Sequence, residues 1–176
     1  MSALSVLYIV LPILAVSLCH ALEVVFTARR WASHHSASSD EAHQSLVNIL
    51  FRLSGMNMSA LVIAAVVGFL AVLLSTTALF AGGLWAELVW TTVFMAYSVC
   101  SLINIVRAVT LKGYVPGLVT SIISVPLIAY AAYSLSLVWP WWEMLLFAIL
   151  GLVLAVAGHF IAQRIGRYST TISASL

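Results

Sequence analysis

The residues best suited to chemistry are a histidine and a carboxylate near the end of a long apolar run. His20 and Glu23 lie in the stretch "LCHALEVVF", residues 18–26. A spacing of three places both side chains on one helix face, about 4.5 Å apart along the axis. A carboxylate in apolar surroundings needs a cation or hydrogen-bond donors, because loss of water disfavours its charged form. The pair predicts either acid–base chemistry, with His20 as base and Glu23 as its partner, or a polar contact between helices.

Two later apolar runs carry polar residues close to their ends. Asn104 and Arg107 are three residues apart and share a helix face, and His159 lies in the last run. Arg107 is one candidate cation for Glu23 and a protonated histidine is another; Arg107 could instead bind an anionic headgroup or stabilise developing negative charge. Asn104 would then orient the bound group. His20, Glu23 and His159 are the candidate ligands for a divalent metal such as zinc, which uses three protein ligands and an open position in catalytic sites.

The amino-acid composition indicates whether these residues lie in water or in a lipid bilayer. Of the 176 residues, 64% are hydrophobic and only 7% are charged, and the mean hydropathy is +1.15. Soluble domains contain about 25% charged residues, and a soluble fold of this size could not hide so much apolar surface. The chain is therefore predicted to be a single transmembrane domain over residues 1–176, with the lipid bilayer as its main partner. A net charge of +2 gives no basic field for nucleic acid.

Five runs are long enough to cross a bilayer, which takes roughly 20 apolar residues. An all-α bundle of five spans is predicted, at about 3–26, 57–81, 84–108, 115–139 and 142–164. With five spans, every Lys and Arg lies on one side of the membrane, which the positive-inside rule makes cytoplasmic. The N-terminus is then outside and the C-terminus inside. The first run has no basic residue before it and exceeds a normal signal-peptide core, so it is predicted to be a retained helix.

The one long connection, residues 27–56, begins with a polar stretch and continues with apolar residues at helical spacing. Ser38 and Glu41 have capping-box spacing. An amphipathic helix over about 39–54 is predicted on the cytoplasmic surface. The alternative is a cytoplasmic extension of the second span, kinked near Gly55. His34, His35 and His43 are interpreted as solvated residues of this connection.

Small residues and one proline predict how the spans pack. Ala64 and Gly68, and likewise Gly151 and Ala155, lie four apart and are predicted to allow close helix approach. Pro126 lies inside the fourth span, where it should kink the helix. Such a kink either opens a small cavity beside the polar residues or is only a bend.

Two stretches resemble the HXXEE family of small polytopic bacterial membrane proteins. "HALEV", residues 20–24, is similar to the family signature, and "NIVRAVTLKGYVPGLVTSIISVPLIAY", residues 104–130, is similar to a later family block. The residues matching that block are Asn104, Tyr114, Pro116, Gly117, Thr120 and Pro126. The resemblance implies a multi-pass protein of the bacterial inner (plasma) membrane. It brings no established activity, although its polar motifs have the character of an enzyme or metal site.

This chain departs from the family pattern at two positions. Val24 replaces the second glutamate of the signature, and Arg107 stands where the family often has a histidine. Two metal ligands or proton carriers are therefore missing. Tyr114 suits the membrane interface, and Gly117 would let the backbone approach a neighbour or a headgroup, so both are candidate contacts for a bound cofactor or lipid. Pro116 is predicted to begin the fourth helix.

Three functions are compatible with these residues. The first is a small membrane enzyme, or a metal or lipid-headgroup site, whose lipid-like or isoprenoid-like ligand enters from the bilayer. The second is a non-catalytic accessory or scaffold protein, in which the polar residues only fix helix packing and helix 39–54 docks a membrane partner. A small transporter, working as a homodimer, is third. In each case His20 and Glu23 are predicted to face the bundle interior and to bond groups from spans three and five.

Overall fold

Each of the five apolar runs forms one long helix, because a chain in lipid must satisfy its backbone hydrogen bonds within the segment. The computed structural model describes residues 3–35 and 58–173, with side chains over 8–28, 30–31 and 60–165. The helices are α1 (Ala3–His35), α2 (Met58–Ala81), α3 (Leu84–Thr110), α4 (Leu118–Ser136) and α5 (Trp141–Ser173). All five are long and apolar enough to cross a membrane, and the described ranges contain no strand. For the part of the chain that the structure describes, the all-α class and five helices long and apolar enough to span a membrane are confirmed.

Several helix ends differ from the predicted ones. α1 continues to His35 instead of ending near residue 26, since residues 27–35 contain neither glycine nor proline. α4 begins at Leu118 and not at 115, because Gly117 has a φ of 88° and ends the turn that precedes the helix. Pro116 therefore lies in that turn and not in the first helical position. The predicted helix 39–54 lies outside the described residues, and the orientation across the membrane stays a prediction.

The helix contacts define a ring of four helices with the fifth outside it. α1 packs against α2 and α4, and α3 packs against the same two helices from the opposite side. α5 packs against α2 and α3. Two helices that are far apart in sequence, α1 and α4, are thus direct neighbours, and this pairing builds the site described below.

One end of the bundle has a dense apolar core. Trp90 and Phe94 are almost fully buried there, with stacked rings whose centroids are 5.4 Å apart. α5 approaches α3 closely at Gly151, where an added Cβ would lie 2.6 Å from the backbone nitrogen of Ala96. The packing role predicted for Gly151 is confirmed. The same prediction is wrong for Gly68, because an added Cβ there would meet no atom within 4 Å.

Candidate functional site

A stripe of polar and aromatic side chains on α1 contacts the start of α4 and the turn before it. His20, Glu23, Thr27 and Trp31 follow one another at intervals of three and four residues, so they share one helix face. Each of them bonds within the segment 114–120. α1 therefore holds both the α3–α4 connection and the first turn of α4.

Glu23 accepts four hydrogen bonds and caps α4 from a different helix. Its Oε1 accepts from the Tyr114 hydroxyl at 2.7 Å and from the backbone N–H of Val119 at 3.1 Å. Its Oε2 accepts from the backbone N–H of Thr120 at 2.8 Å and from the Thr120 hydroxyl at 2.6 Å. Val119 and Thr120 are in the first helical turn, where backbone donors have no partner within the helix. Gly117 at the N-cap has no side chain to supply one.

The interpretation of Arg107 as the cation for Glu23 is therefore wrong. Both residues lie in the described part of the chain, and the carboxylate bonds only donors of α4 and of the preceding turn. Hydrogen bonds to a carboxylate favour its charged form without any counter-ion. The prediction that groups from spans three and five satisfy this pair is corrected in the same way, since the partners come from span four.

His20 is connected to Glu23 through the Thr120 hydroxyl. The Nδ1 atom of His20 lies 2.9 Å from the Thr120 Oγ1. The single hydroxyl proton of Thr120 goes to the Glu23 Oε2 at 2.6 Å, which is shorter than the alternative to the Gly117 carbonyl at 3.2 Å. The hydroxyl oxygen is then left to accept, so Nδ1 carries a proton and donates it to Thr120. This network assigns the tautomer of His20.

Gly117 is required where α4 meets α1. Its left-handed φ disfavours any residue with a side chain. An added Cβ would also collide with His20 Cε1 and lie 3.1 Å from Val24 Cγ2. Val24, at the position of the second signature glutamate, is buried and packs here. Gly117 thus brings the backbone against the predicted histidine itself.

The turn before α4 is fixed by two aromatic side chains. Trp31 is buried and donates from Nε1 to the Tyr114 carbonyl at 2.6 Å. It packs with Ala108 and Val115 in a small apolar cluster. Burial raises the pKa of the Tyr114 hydroxyl, and the Glu23 carboxylate acts in the same direction. Tyr114 therefore remains a hydrogen-bond donor at neutral pH and serves Glu23.

A cavity of about 560 Å³ lies between α1, α2, α3 and α5. This volume falls in the range of about 300–1,000 Å³ that is usual for small-molecule sites. Its wall follows α3 from Val93 to Arg107, a length of about 21 Å at 1.5 Å per residue. Most of the lining is apolar, and its polar side chains include His20, Tyr97, Asn104, Arg107 and His159. Asn104 and Arg107 lie toward the C-terminal end of α3. The cavity is therefore amphipathic along its length.

Small residues on two helices create this space. α2 contributes Ala64, Ala65 and Gly68 to the wall, and α5 contributes Ala155 and Gly158. Neither Gly68 nor Gly158 would meet any atom within 4 Å if it carried a Cβ. This is not the cavity that a kink at Pro126 would open, because no residue of α4 lines it; the missing side chains of α2 and α5 account for its volume.

Arg107 and Asn104 are the cavity residues with the fewest protein partners. Arg107 is half-buried, its backbone carbonyl accepts from Leu111, and its guanidinium lies near the Cys100 thiol but forms no ion pair or hydrogen bond with any residue that the structure describes. The described carboxylates besides Glu23 are Glu87 and Glu143, in the first turns of α3 and α5 at the other end of the bundle. Asn104 reaches only the Ser121 hydroxyl, at a long 3.5 Å.

The three predicted metal ligands are not brought together. His159 lines the cavity and lies 2.8 Å from the Nε2 of Gln163 through its own Nε2. Among the residues the structure describes, no three His, Cys, Asp or Glu side chains form a group that could hold a metal ion. Both Glu23 oxygens are already taken. The geometry therefore supports acid–base or binding chemistry at His20 better than a His20–Glu23–His159 metal centre.

Three residues of the α1–α4 contact do not stand out in the sequence analysis: Thr120 appears there only as part of the family block, and Thr27 and Trp31 do not appear. A signal for Thr27 and Trp31 exists, because residues 20, 23, 27 and 31 form a helical stripe. The sequence does not show that α1 packs against α4.

Comparison with known proteins places the chain in a family. A family model described as "Protein of unknown function with HXXEE motif" matches residues 11–131, more than half of the chain. The match includes the α1 stripe, α2, α3 and most of α4. Neither the curated proteins nor the solved structures compared with it gave a significant match. The chain is a multi-pass α-helical membrane protein and belongs to the HXXEE family.

Proposed function

We propose that the protein binds an amphipathic molecule with an anionic headgroup in the cavity between α1, α2, α3 and α5. The observation that carries this proposal is the position of Arg107. Its guanidinium lines a largely apolar cavity and has no anionic partner among the residues described. A guanidinium is always charged in proteins, and a charge removed from water is costly unless it is paired. A bound anion would supply the missing partner.

The apolar part of the cavity indicates that the ligand has an apolar chain besides its anionic headgroup. From Arg107 the lining becomes apolar toward Val93 and Val72, near the middle of the bundle. An apolar chain would bury its surface there, while the headgroup stays near Arg107 and Asn104. The planar guanidinium can bind a phosphate or carboxylate through two parallel hydrogen bonds, and the Asn104 amide can add a further donor. A lipid-like molecule fits both ends.

The cellular setting forms part of the proposal. The positive-inside rule puts the Arg107 end of the bundle in the cytoplasmic leaflet, and we assign the protein to the bacterial inner membrane. The ligand would enter sideways from that leaflet. Under the alternative hypothesis of an accessory or scaffold protein, Arg107 reaches the headgroup region and only fixes the orientation of the helix in the membrane. Filling the cavity would then change helix packing alone.

The proposal is tested by ligand-dependent stability of the full chain in dodecyl maltoside. Unfolding is followed by the fluorescence of its six tryptophans while dodecyl phosphate is added. Binding at 100 times the dissociation constant stabilises by about 2.7 kcal/mol, so the unfolding temperature should rise by several degrees. Inorganic phosphate alone should give no rise. An equal rise with inorganic phosphate would show that the ligand is a free anion and not an amphiphile.

Two variants and one control assign the effect to the cavity. Arg107→Gln removes the charge, and Gly68→Leu fills the cavity at a position where an added Cβ meets nothing. Both should abolish the rise. Arg164→Gln removes a positive charge from the exposed face of α5 and should leave the rise intact. An undiminished rise in Arg107→Gln would overturn the proposal.

A further inference from the structure

We infer that the ligand also carries a hydroxyl group close to its anionic group, and that the Nε2 atom of His20 accepts a hydrogen bond from it. This inference rests on the proposed function and narrows its ligand class. It assigns to His20 the discrimination between anionic amphiphiles with and without such a hydroxyl.

First, the hydrogen bonds between α1 and α4 determine which nitrogen of the His20 imidazole carries the proton. Glu23 takes the proton of the Thr120 hydroxyl, and Thr120 accepts the Nδ1 proton of His20. A neutral imidazole that is protonated at Nδ1 has a lone pair at Nε2, so Nε2 is an acceptor. Within the described part of the chain, no hydrogen bond is made to this atom. The hydrogen bonds from His20 through Thr120 to Glu23 therefore leave the Nε2 lone pair of His20 free to accept a hydrogen bond.

The second step is the direction of that acceptor. Thr120 takes Nδ1 and the Gly117 backbone lies against Cε1, so α4 occupies that edge of the ring. Tyr97 meets the ring edge-on, with centroids 6.2 Å apart, and limits its rotation. His20 lines the cavity, whereas Thr120 does not. Nε2 is thus the nitrogen that His20 offers to the cavity.

The third step is the arrangement of charges around the polar end. Arg107 and Asn104 on α3 offer donors, and they suit an anion. His20 on α1 offers an acceptor on another wall of the same cavity. The two walls meet at the start of α4, because Asn104 bonds the Ser121 hydroxyl and Ser121 bonds the Gly117 carbonyl. The Gly117 backbone in turn lies against the His20 ring. A ligand that reaches both Asn104 and His20 therefore needs an anionic group and a neighbouring hydrogen-bond donor of its own. A single-chain phosphate monoester with a free hydroxyl, of the lysophosphatidic acid type, has this pattern.

The experiment compares two probes that differ in one hydroxyl. The full chain in dodecyl maltoside is titrated with 1-acyl-glycerol-3-phosphate and with its 2-deoxy analogue, which has the same chain and phosphate. The wild-type chain should bind the hydroxyl-bearing probe about tenfold more tightly, the ratio that one net hydrogen bond of ordinary strength gives. Both probes should bind, because both carry the phosphate that Arg107 receives.

Two His20 variants separate the two ring nitrogens. His20→Asn places an amide nitrogen near the Nδ1 position, so the bond to Thr120 is kept while the Nε2 acceptor is lost. This variant should bind both probes equally and keep the wild-type affinity for the 2-deoxy probe. His20→Gln places its amide near the Nε2 position and should retain a measurable preference.

The outcomes distinguish the inference from the function on which it rests. If the wild-type chain binds both probes equally, the role of His20 is refuted and the anionic amphiphile site stands. If His20→Asn keeps the tenfold preference, the hydroxyl is recognised elsewhere and the inference also fails. Binding of neither probe would refute both the inference and the proposed function.

Discussion

The two walls at the polar end of the cavity differ in how far the protein satisfies its own polar groups. On the α1–α4 wall, Glu23 has four donors and Thr120 joins it to His20. On the α3 wall, the Arg107 guanidinium has no ion pair or hydrogen bond with the described residues, and the Asn104 side chain has one long hydrogen bond. A polar group whose hydrogen bonds are all made to neighbouring helices holds those helices together. A polar group without such bonds is available to a ligand. The contrast separates the structural part of the site from the binding part.

The same contrast explains why the signature histidine belongs to both parts. His20 uses Nδ1 in the structural network and leaves Nε2 for the cavity. A ring held by one nitrogen presents the other in a fixed direction, which is how oriented histidines act in binding and catalytic sites. Variants on the two walls should therefore affect different properties, stability on one and ligand binding on the other.

The largest loss of stability is expected for Glu23→Ala. The change leaves the buried Thr120 amide, the Val119 amide and the Tyr114 hydroxyl without their acceptor, and an unsatisfied buried group costs about 1–3 kcal/mol. A fall of about 3 kcal/mol in the free energy of unfolding is expected, measured by reversible unfolding in mixed micelles. Arg107→Gln, the matched change on the α3 wall, should cost less than about 1 kcal/mol. Equal losses would remove the distinction between the walls.

Gly117→Ala should follow, at about 2 kcal/mol or more. The added methyl group requires an unfavourable left-handed φ and collides with His20. Gly68→Ala is the control, because an added Cβ there has open space around it and alanine favours the helix. The control should be neutral or slightly stabilising in the same unfolding assay. A Gly117→Ala variant as stable as the wild-type chain would show that α1 and α4 are not packed as described.

Trp31→Phe should have a smaller effect, about 1 kcal/mol. The substitution removes the indole N–H that bonds the Tyr114 carbonyl while keeping an aromatic ring in the cluster with Ala108 and Val115. Hydrogen exchange of the backbone amides around Tyr114 should become faster, while exchange in the Trp90–Phe94 core should not change. Faster exchange throughout the bundle would indicate that Trp31 supports more than this turn.

Much of the fold follows from the sequence, because length and hydropathy alone define spans in a bilayer. His20 and Glu23 were also predicted to face inward, and Glu23 needed strong partners for the charge it carries in apolar surroundings. The sequence favours Arg107 as the partner of Glu23 because opposite charge is the property that a sequence displays. The sequence does not state which helices are neighbours, so the donors at the start of α4 were missed. Of the two contacts predicted for Gly117, a neighbour or a headgroup, the structure shows the neighbour, α1.

The measurement that tests the central claim most directly is the occupancy of the cavity by dodecyl phosphate, counted by native mass spectrometry of the full chain released from maltoside micelles. The account predicts one bound molecule per wild-type chain and per Arg164→Gln chain, and none on Arg107→Gln or Gly68→Leu. Equal occupancy of the wild-type and Arg107→Gln chains, or none on either, would contradict it.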